Sequence, residues 1–492
     1  MRKATKGALA AGVGAVIAGA VVTTAGAGPL APDERDAAQA QSAHSATGAS
    51  AKPAKKQRLR EDFNGDGYND LVIAAPEGSG KAGYVTVVYG SAKGLDRSTR
   101  TVISQNTPGV PGEAKAGNRF GDGLVARDLD GDGVTDLAVQ SAGAHVILWG
   151  AKGGGLSGKG AVRTVDASDA VGGDFDGDGK QDLFVAQGSF TGKGELLRGP
   201  FTRDGKPASR QAVDLSDGDS ETYGLAAGDI TGDGADDVVV LRAMEESSRP
   251  GALFVGGKKG LTKKNDDAPE ALGATVGDFD GDGHGDLAYR VAPGGVVEGP
   301  WDDAGTVKVR YGTASGLGKR TATFTQATPG VPGAHEKGDL FGASLAAGDV
   351  TGDGRDDLAV GVPGEAIGSK KKAGSTVLLK GSAKGLTGTG AQAFSQDTAG
   401  VPGVAEANDE FGTNTRLLDF DKNGRADLAV SAAGENDFAG AVWAFPGTGS
   451  GLDTAKGISF APGDVGAPAQ GATFGAEFAN STPSPLWGIQ DR

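Results

Sequence analysis

The chain contains no cysteine in 492 residues, which excludes both a disulfide framework and a lipidated N-terminal cysteine. Only four histidines are present (His44, His145, His284 and His335), and no Gly-x-Ser-x-Gly nucleophile motif occurs. These scarcities argue against a hydrolase or another histidine-dependent catalyst. Basic charge is in deficit. The net charge is −15, and residues 1–60 hold nine Lys/Arg against three Asp/Glu, which leaves −21 for the remainder. Nucleic acid wants a basic footprint, so it is excluded as a partner. Past the first 22 residues there is no apolar run long enough for a membrane span, and no convincing amphipathic helix.

What the chain has instead is glycine, 88 residues of it, and one nine-residue loop written seven times. The second copy is the cleanest: Asp128-Leu-Asp130-Gly-Asp132-Gly-Val134-Thr-Asp136, followed by Leu-Ala-Val. Oxygen-bearing side chains occupy positions 1, 3, 5 and 9, with glycine at 6. Three or four carboxylates in nine residues repel one another, which raises their pKa values unless a hard cation sits among them. Calcium takes roughly 6–8 oxygen ligands at such spacings. Glycine at position 6 permits the backbone reversal. Position 7 varies freely, which suits a backbone carbonyl ligand.

The candidate ligands are therefore as follows. The first loop offers Asp62, Asn64, Asp66, Tyr68 and Asp70. The second offers Asp128, Asp130, Asp132, Val134 and Asp136. The third offers Asp174, Asp176, Asp178, Lys180 and Asp182. The fourth offers Asp229, Thr231, Asp233, Ala235 and Asp237. The fifth offers Asp278, Asp280, Asp282, His284 and Asp286. The sixth offers Asp349, Thr351, Asp353, Arg355 and Asp357. The seventh offers Asp419, Asp421, Asn423, Arg425 and Asp427. In each set the position-7 residue contributes its carbonyl. The pattern is not an EF-hand, which needs Glu at position 12; Ile73, Val139 or Val430 stands there. The alternative is a metal-free Asp/Gly turn held by side-chain-to-backbone hydrogen bonds. Up to seven Ca2+ ions are expected. The three-carboxylate loops (first, fourth, sixth and seventh) should bind more weakly than the four-carboxylate ones. Seven divalent ions would bring −21 to about −7.

Each loop runs into a short apolar strand, such as Leu71 to Ala75 or Leu428 to Val430. A turn and a second strand follow, such as Tyr84 to Tyr89 or Ala441 to Phe445. β-Branched runs bounded by glycine are the signature of strands and hairpins. Loop starts lie 46 to 71 residues apart, enough for about four strands per unit. Units of this kind cannot bury their faces alone, and packed radially they form a β-propeller. Phe-Gly precedes three loops by eight residues (Phe120, Phe341, Phe411), and Tyr223-Gly224 precedes a fourth. Phe is read as the anchor of the innermost strand and Gly as a point of backbone crowding. Phe474-Gly475 has no loop after it, and the first loop has no Phe-Gly before it. Residues 472–479 are therefore expected to supply the missing inner strand of the first blade, which removes open sheet edges. Three inserts (Gln105 to Gly112, Gln326 to Gly333, Gln396 to Gly403) carry Pro and Gly at fixed-turn spacings.

The run Phe-Gly, then Asp-x-[Asp/Asn/Thr]-x-[Asp/Asn]-Gly-x-x-Asp-Leu-Ala-Val, then Ala75-Pro76 or Val362-Pro363, resembles the FG-GAP repeat of integrin α-chains and many secreted bacterial proteins. The resemblance covers nearly all of residues 61–480. It implies a seven-bladed propeller with calcium between the first and second strands of a blade, and ligand binding on the opposite face. The third and fifth blades lack a recognisable Phe-Gly, and none of the other integrin domains is present.

The expected organisation is a signal peptide over 1–27, from Arg2, Lys3 and Lys6, the apolar run Gly7 to Val22, and Ala25-Gly-Ala27. A second possible cleavage follows Ala40. A disordered linker over 28–60 comes next, then the all-β seven-bladed propeller over 61–480, closed by a C-terminal strand completing the first blade, and a tail over 481–492. The expected function is a secreted, extracellular, calcium-binding module for adhesion or binding. It is monomeric and non-catalytic, its metal is structural, and its partner is an extracellular protein or glycan. The turns Gly364 to Lys372 and Arg242 to Arg249 are candidate contact regions. The alternatives are a secreted propeller hydrolase acting on a polysaccharide or ester, and a passive cell-envelope scaffold.

Overall fold

A computed structural model describes residues 60–297 and 302–481. The expected signal peptide, all but the last residue of the expected linker, and all but the first residue of the expected tail lie outside the described residues. The described chain forms seven four-stranded antiparallel sheets. The first blade is Leu71–Ala75, Tyr84–Tyr89 and Asp96–Ile103. The second is Leu124–Arg127, Asp136–Ser141, Ala144–Leu148 and Val162–Asp166. The third is Asp169–Gly173, Asp182–Ala186, Lys193–Arg198 and Ser209–Asp214. The fourth is Glu221–Gly228, Asp237–Met244, Ser247–Val255 and Thr262–Ala268. The fifth is Gly273–Gly277, Asp286–Arg290, Val307–Arg310 and Thr321–Phe324. The sixth is Leu345–Gly348, Asp357–Val362, Ser375–Lys380 and Thr387–Phe394. The seventh is Phe411–Leu418, Asp427–Ala432, Ala441–Phe445 and Ile458–Phe460.

The first blade takes its innermost strand from the other end of the chain. Glu477–Phe478 pairs antiparallel with Leu71–Ala75, with Ile73 opposite Phe478 and Ala74 opposite Glu477. The expected closure is therefore present. Its seam is reinforced near the axis: Arg416 pairs with the fully buried Glu61 at 2.5 Å, and Asn480 Nδ2 donates to the same Glu61 oxygen at 2.7 Å. The first strands of successive blades pack against one another around the ring.

Seven apolar cores lie between neighbouring blades, one at each junction. This is the burial that no blade could achieve alone. Phe120, Phe341, Phe411 and Phe474 are all fully buried within these junctions. Phe411 opens its innermost strand; the other three sit a few residues ahead of theirs. The glycine after each has φ between +93° and +106°, a region that favours glycine. A Cβ there would press on the preceding blade, 2.6 Å from Val307 Cγ2 in the case of Gly342. The crowding expected of this glycine is thus observed, and it acts between blades. Facing it across the junction is a second glycine. A Cβ on Gly83 would lie 2.3 Å from Phe120 N, and one on Gly305 2.2 Å from Phe341 N.

Candidate metal centre

Six of the acidic loops connect the innermost strand of a blade to its second strand, and the first leads into the second strand of the first blade, whose innermost strand comes from the other end of the chain. The position-1 carboxylate organises the turn by accepting backbone N–H groups. Asp128 Oδ1 accepts from Gly131 and Oδ2 from Gly133, both at 2.9 Å. Asp278 and Asp349 each accept from three amides. Position 5 accepts from position 7, as in Asp132 from Val134 at 2.9 Å. This is the Asx-type geometry that the metal-free alternative also uses. It leaves other carboxylate oxygens for a further partner.

Position 9 does something the sequence did not announce. In every blade it is buried, and its carboxylate is held by two segments. Oδ2 accepts the amide of position 2 or 3: Phe63 to Asp70 at 2.8 Å, Thr231 to Asp237 at 2.9 Å, Phe420 to Asp427 at 2.9 Å. Oδ1 accepts the amide of the glycine that ends the third strand of the same sheet: Gly90, Gly150, Gly199, Gly256, Gly312, Gly381 or Gly447. Burial pushes Asp70 and Asp136 up to about 8. It pushes Asp182, Asp286 and Asp427 to about 7, and Asp237 and Asp357 to about 6. The neighbouring loop carboxylates add to the rise, and the backbone amides oppose it.

Position 2 was also missed. Phe63, Leu129, Phe175, Ile230, Phe279, Val350 and Phe420 are all at most 1% exposed, and each enters the core shared with the next blade. Its signal was legible as seven large apolar residues in register, each directly after the first acid of its loop. The loops are also joined to one another. The position-1 carbonyl accepts an amide from position 8 of the next loop: Thr135 to Asp62, Asp236 to Asp174, Gly285 to Asp229, Asp356 to Asp278 and Ala426 to Asp349, all at 2.8–2.9 Å. Asn69 Nδ2 makes the matching bond to Asp419 across the closing seam at 2.8 Å. Position 7 is not indifferent to its side chain. Val134, Ala235, His284, Arg355 and Arg425 cover position 4 of the preceding loop.

Four loops bring three carboxylates together, with one oxygen from each within 4.8 Å of the others. These are Asp128/Asp130/Asp136, Asp174/Asp176/Asp182, Asp278/Asp280/Asp282 and Asp419/Asp421/Asp427. The first, fourth and sixth loops, with Asn64, Thr231 and Thr351 at position 3, form no such triplet. Asp132 and Asp178 stand outside the triplets of their loops. Asp132 Oδ2 instead accepts from Arg203 at 2.7 Å, and Arg203 also pairs with Asp130. Arg320 pairs with Asp280, and Arg198 with Asp176 at 3.1 Å. Asp176 Oδ1 and Thr231 Oγ1 are buried without a hydrogen-bond partner. An all-oxygen donor set with convergent carboxylates and an unsatisfied oxygen fits a hard divalent cation such as Ca2+.

Within the candidate contact region Arg242 to Arg249, where Glu245 to Ser247 are exposed, the place of Arg242 needs correction. Arg242 lies inside the strand Asp237–Met244 and is 2% exposed. Its guanidinium donates to Asp266 at 2.7 Å and to Leu215 O at 2.7 Å, so it fastens neighbouring strands and faces no ligand. In the other region, Lys370 donates to Asp397 at 2.8 Å. Among the described residues, no helix is long and apolar enough to cross a membrane.

Family comparisons agree with the repeat structure. The FG-GAP repeat matches residues 61–88, 341–379 and 411–445, and the FG-GAP-like repeat matches residues 128–185 and 174–240. Integrin alpha-PS5 of Drosophila melanogaster is 36% identical over 159 residues, covering 29% of this chain and 15% of that protein. Phosphatidylinositol-glycan-specific phospholipase D of Mus musculus is 30% identical over 147 residues, covering 25% of this chain and 17% of that protein. The matched region thus spans less than a fifth of either relative. Among solved structures, AofleA from Arthrobotrys oligospora aligns at a TM-score of 0.36 and 10% identity, over 70% of this chain and 89% of that one.

Proposed function

We infer the function of this chain from the premise that it is an FG-GAP repeat protein, related to the integrin α-chain propeller and to phosphatidylinositol-glycan-specific phospholipase D. It is a calcium-stabilised propeller that works outside the cell as a binding or adhesion module, as a monomer and without catalysis. The observation that carries this reading is the placement of the acidic loops. Each lies at a junction between blades, its position-9 carboxylate is tied by backbone amides to its own loop and to the glycine just past the third strand, and in six of the seven the position-1 carbonyl accepts an N–H from the next loop. An ion held there adds its binding free energy to the folded ring alone. The clusters at Asp128, Asp174, Asp278 and Asp419 fill first, and the three weaker loops extend the set to seven.

With one end of every sheet occupied by these joints, the opposite end is left for recognition. The turns between second and third strands and the Pro/Gly inserts emerge there, and an extracellular protein or a glycan is the partner class. The test is a glycan and cell-surface-protein array probed with the full chain in calcium and in chelator. Saturable binding that disappears with chelator supports the reading. Turnover of an ester or glycoside panel, with no such binding, would replace it with the hydrolase alternative.

A further inference from the structure

The end of the propeller away from the acidic loops carries a second set of buried acids, and it appears twice. Between the outer strand of the fifth blade and the inner strand of the sixth, Gln326 opens the insert and Asp339 closes it, two residues before Phe341. Glu365, in the turn after the second strand of the sixth blade, reaches into the same place. One junction further on, Gln396, Asp409 and Glu435 occupy the matching positions, with Asp409 two residues before Phe411. Glu336 and Glu406 follow the same register, five residues before each Phe.

The contacts agree in the two copies. Gln326 Nε2 donates to Glu365 Oε2, and Gln396 Nε2 donates to Glu435 Oε2 at 2.6 Å. The Glu336 N–H donates to Asp339 Oδ2 at 2.7 Å, and the Glu406 N–H donates to Asp409 Oδ2 at 2.5 Å. Gln326 and Gln396 are 3% and 2% exposed, and Asp339 and Asp409 are 4% and 2% exposed. In both copies the glutamine Oε1 is buried with no hydrogen-bond partner. An unsatisfied buried carbonyl oxygen is destabilising, and here it recurs at equivalent positions beside carboxylates.

The second blade supplies an internal comparison. The same register there holds Gln105, Lys115 and Asn118 in place of glutamine and two acids. Gln105 Oε1 is satisfied, accepting from Asn118 Nδ2 at 2.7 Å, and the nearby Glu77 is paired with Arg119 and with Lys81 at 3.5 Å. Where the chain lacks the acids, its own side chains complete the network. Where it has them, two carboxylates and a glutamine carbonyl are left without enough donors. The nearest cations do not fill the gap. Lys370 lies near Asp409 but donates to Asp397, and His335 beside Asp339 is exposed.

We infer that these two junctions are divalent-cation sites, one built by Gln326, Asp339 and Glu365 and the other by Gln396, Asp409 and Glu435. Each glutamine amide donates its Nε2 to the glutamate and leaves its Oε1 free, so the group that bonds the glutamate also presents a carbonyl to an ion beside it. Oxygen amides and carboxylates are calcium ligands, with water completing the shell. The carboxylates converge less tightly than in the loops, so these sites bind more weakly. Burial and the neighbouring acids push Glu435 up to about 7 and raise Glu365 in the same direction, the response of carboxylates that lack a counter-charge. The sites clamp the inserts to the blade turns at the face left for recognition.

Crystals of the full chain soaked in terbium chloride test this by anomalous scattering. Peaks at about 2.3–2.6 Å from the Glu365 and Glu435 carboxylates are expected. Peaks confined to the acidic loops, or none, overturn the inference, and because loop peaks are read separately the two sets of sites stand or fall independently. Equilibrium dialysis against calcium of the folded E365Q/E435Q chain is the second measurement. Two fewer bound ions per chain than in the parent are expected, and an unchanged count overturns the proposal.

Discussion

The Asp136 carboxylate accepts the Gly150 N–H at 2.8 Å, and a Cβ on Gly150 would lie 2.2 Å from the Thr135 carbonyl oxygen. The acid at position 9 and the glycine at the end of the third strand are therefore one device, seen seven times. The acid closes its loop onto the sheet, and the glycine is what lets the backbone come close enough to be held.

From this follows a separation between two acids of one loop. Asp136→Ala leaves the amides of Leu129 and Gly150 without their acceptor and should cost about 1–3 kcal/mol. That loss should persist in chelator. Asp130 is a member of the loop's carboxylate triplet, so Asp130→Asn should lower the thermal midpoint chiefly when calcium is present. Paired melts with and without chelator check both.

Glycines at the junctions should differ by what surrounds them. Gly305→Ala would place a Cβ 2.2 Å from the backbone of Phe341 and should destabilise by several kcal/mol or prevent folding. Gly153→Ala has an equally left-handed φ of +71° but nothing within 4 Å, and should cost only about 1–2 kcal/mol. Denaturant unfolding of the two variants separates crowding from backbone strain.

Calcium should abolish the pH response above about pH 5. The position-9 acids have folded-state values of about 6 to 8, above the ordinary 3.8. Between those limits the calcium-free folded chain binds more protons than the unfolded chain, so its stability should fall as pH rises from about 4 to about 8. A bound ion holds these acids ionised, so in saturating calcium stability should rise only between about pH 4 and 5, where the unfolded carboxylates still take up protons, and be flat above that. Thermal midpoints across pH 4–8, with calcium and with chelator, read the two slopes.

Ring closure rests on a two-residue strand. Phe478 is 1% exposed in the core between the seventh and first blades. Phe478→Ala should cost about 3–5 kcal/mol. Truncation after Ala472 should expose the edge of Leu71–Ala75 and shift the chain to larger species on size exclusion.

Much of this architecture was legible in the chain. The seven-fold acidic loop, its spacing and the orphan Phe474-Gly475 together required a closed ring, because period and leftover both survive in one dimension. Position 9 was legible as an acid and not as a staple, since its partner glycine lies 14 to 26 residues away and is one among 88. Arg242 was misplaced for a related reason. A charged residue after an apolar run reads as a turn unless its counter-ion, Asp266, is known to lie beside it. The division between loops that form carboxylate triplets and those that do not followed the position-3 residue, with the seventh loop keeping its triplet through Asp421 despite Asn423.

The central claim is that the acidic loops hold divalent ions at the joints of the ring. Its most direct test is the number of calcium ions retained per chain after equilibrium dialysis of the folded protein against micromolar free calcium. At least four tightly held ions are expected, lost together with the carboxylates of Asp130, Asp176, Asp280 and Asp421 when these are replaced by Asn. A folded chain that retains none would contradict the account.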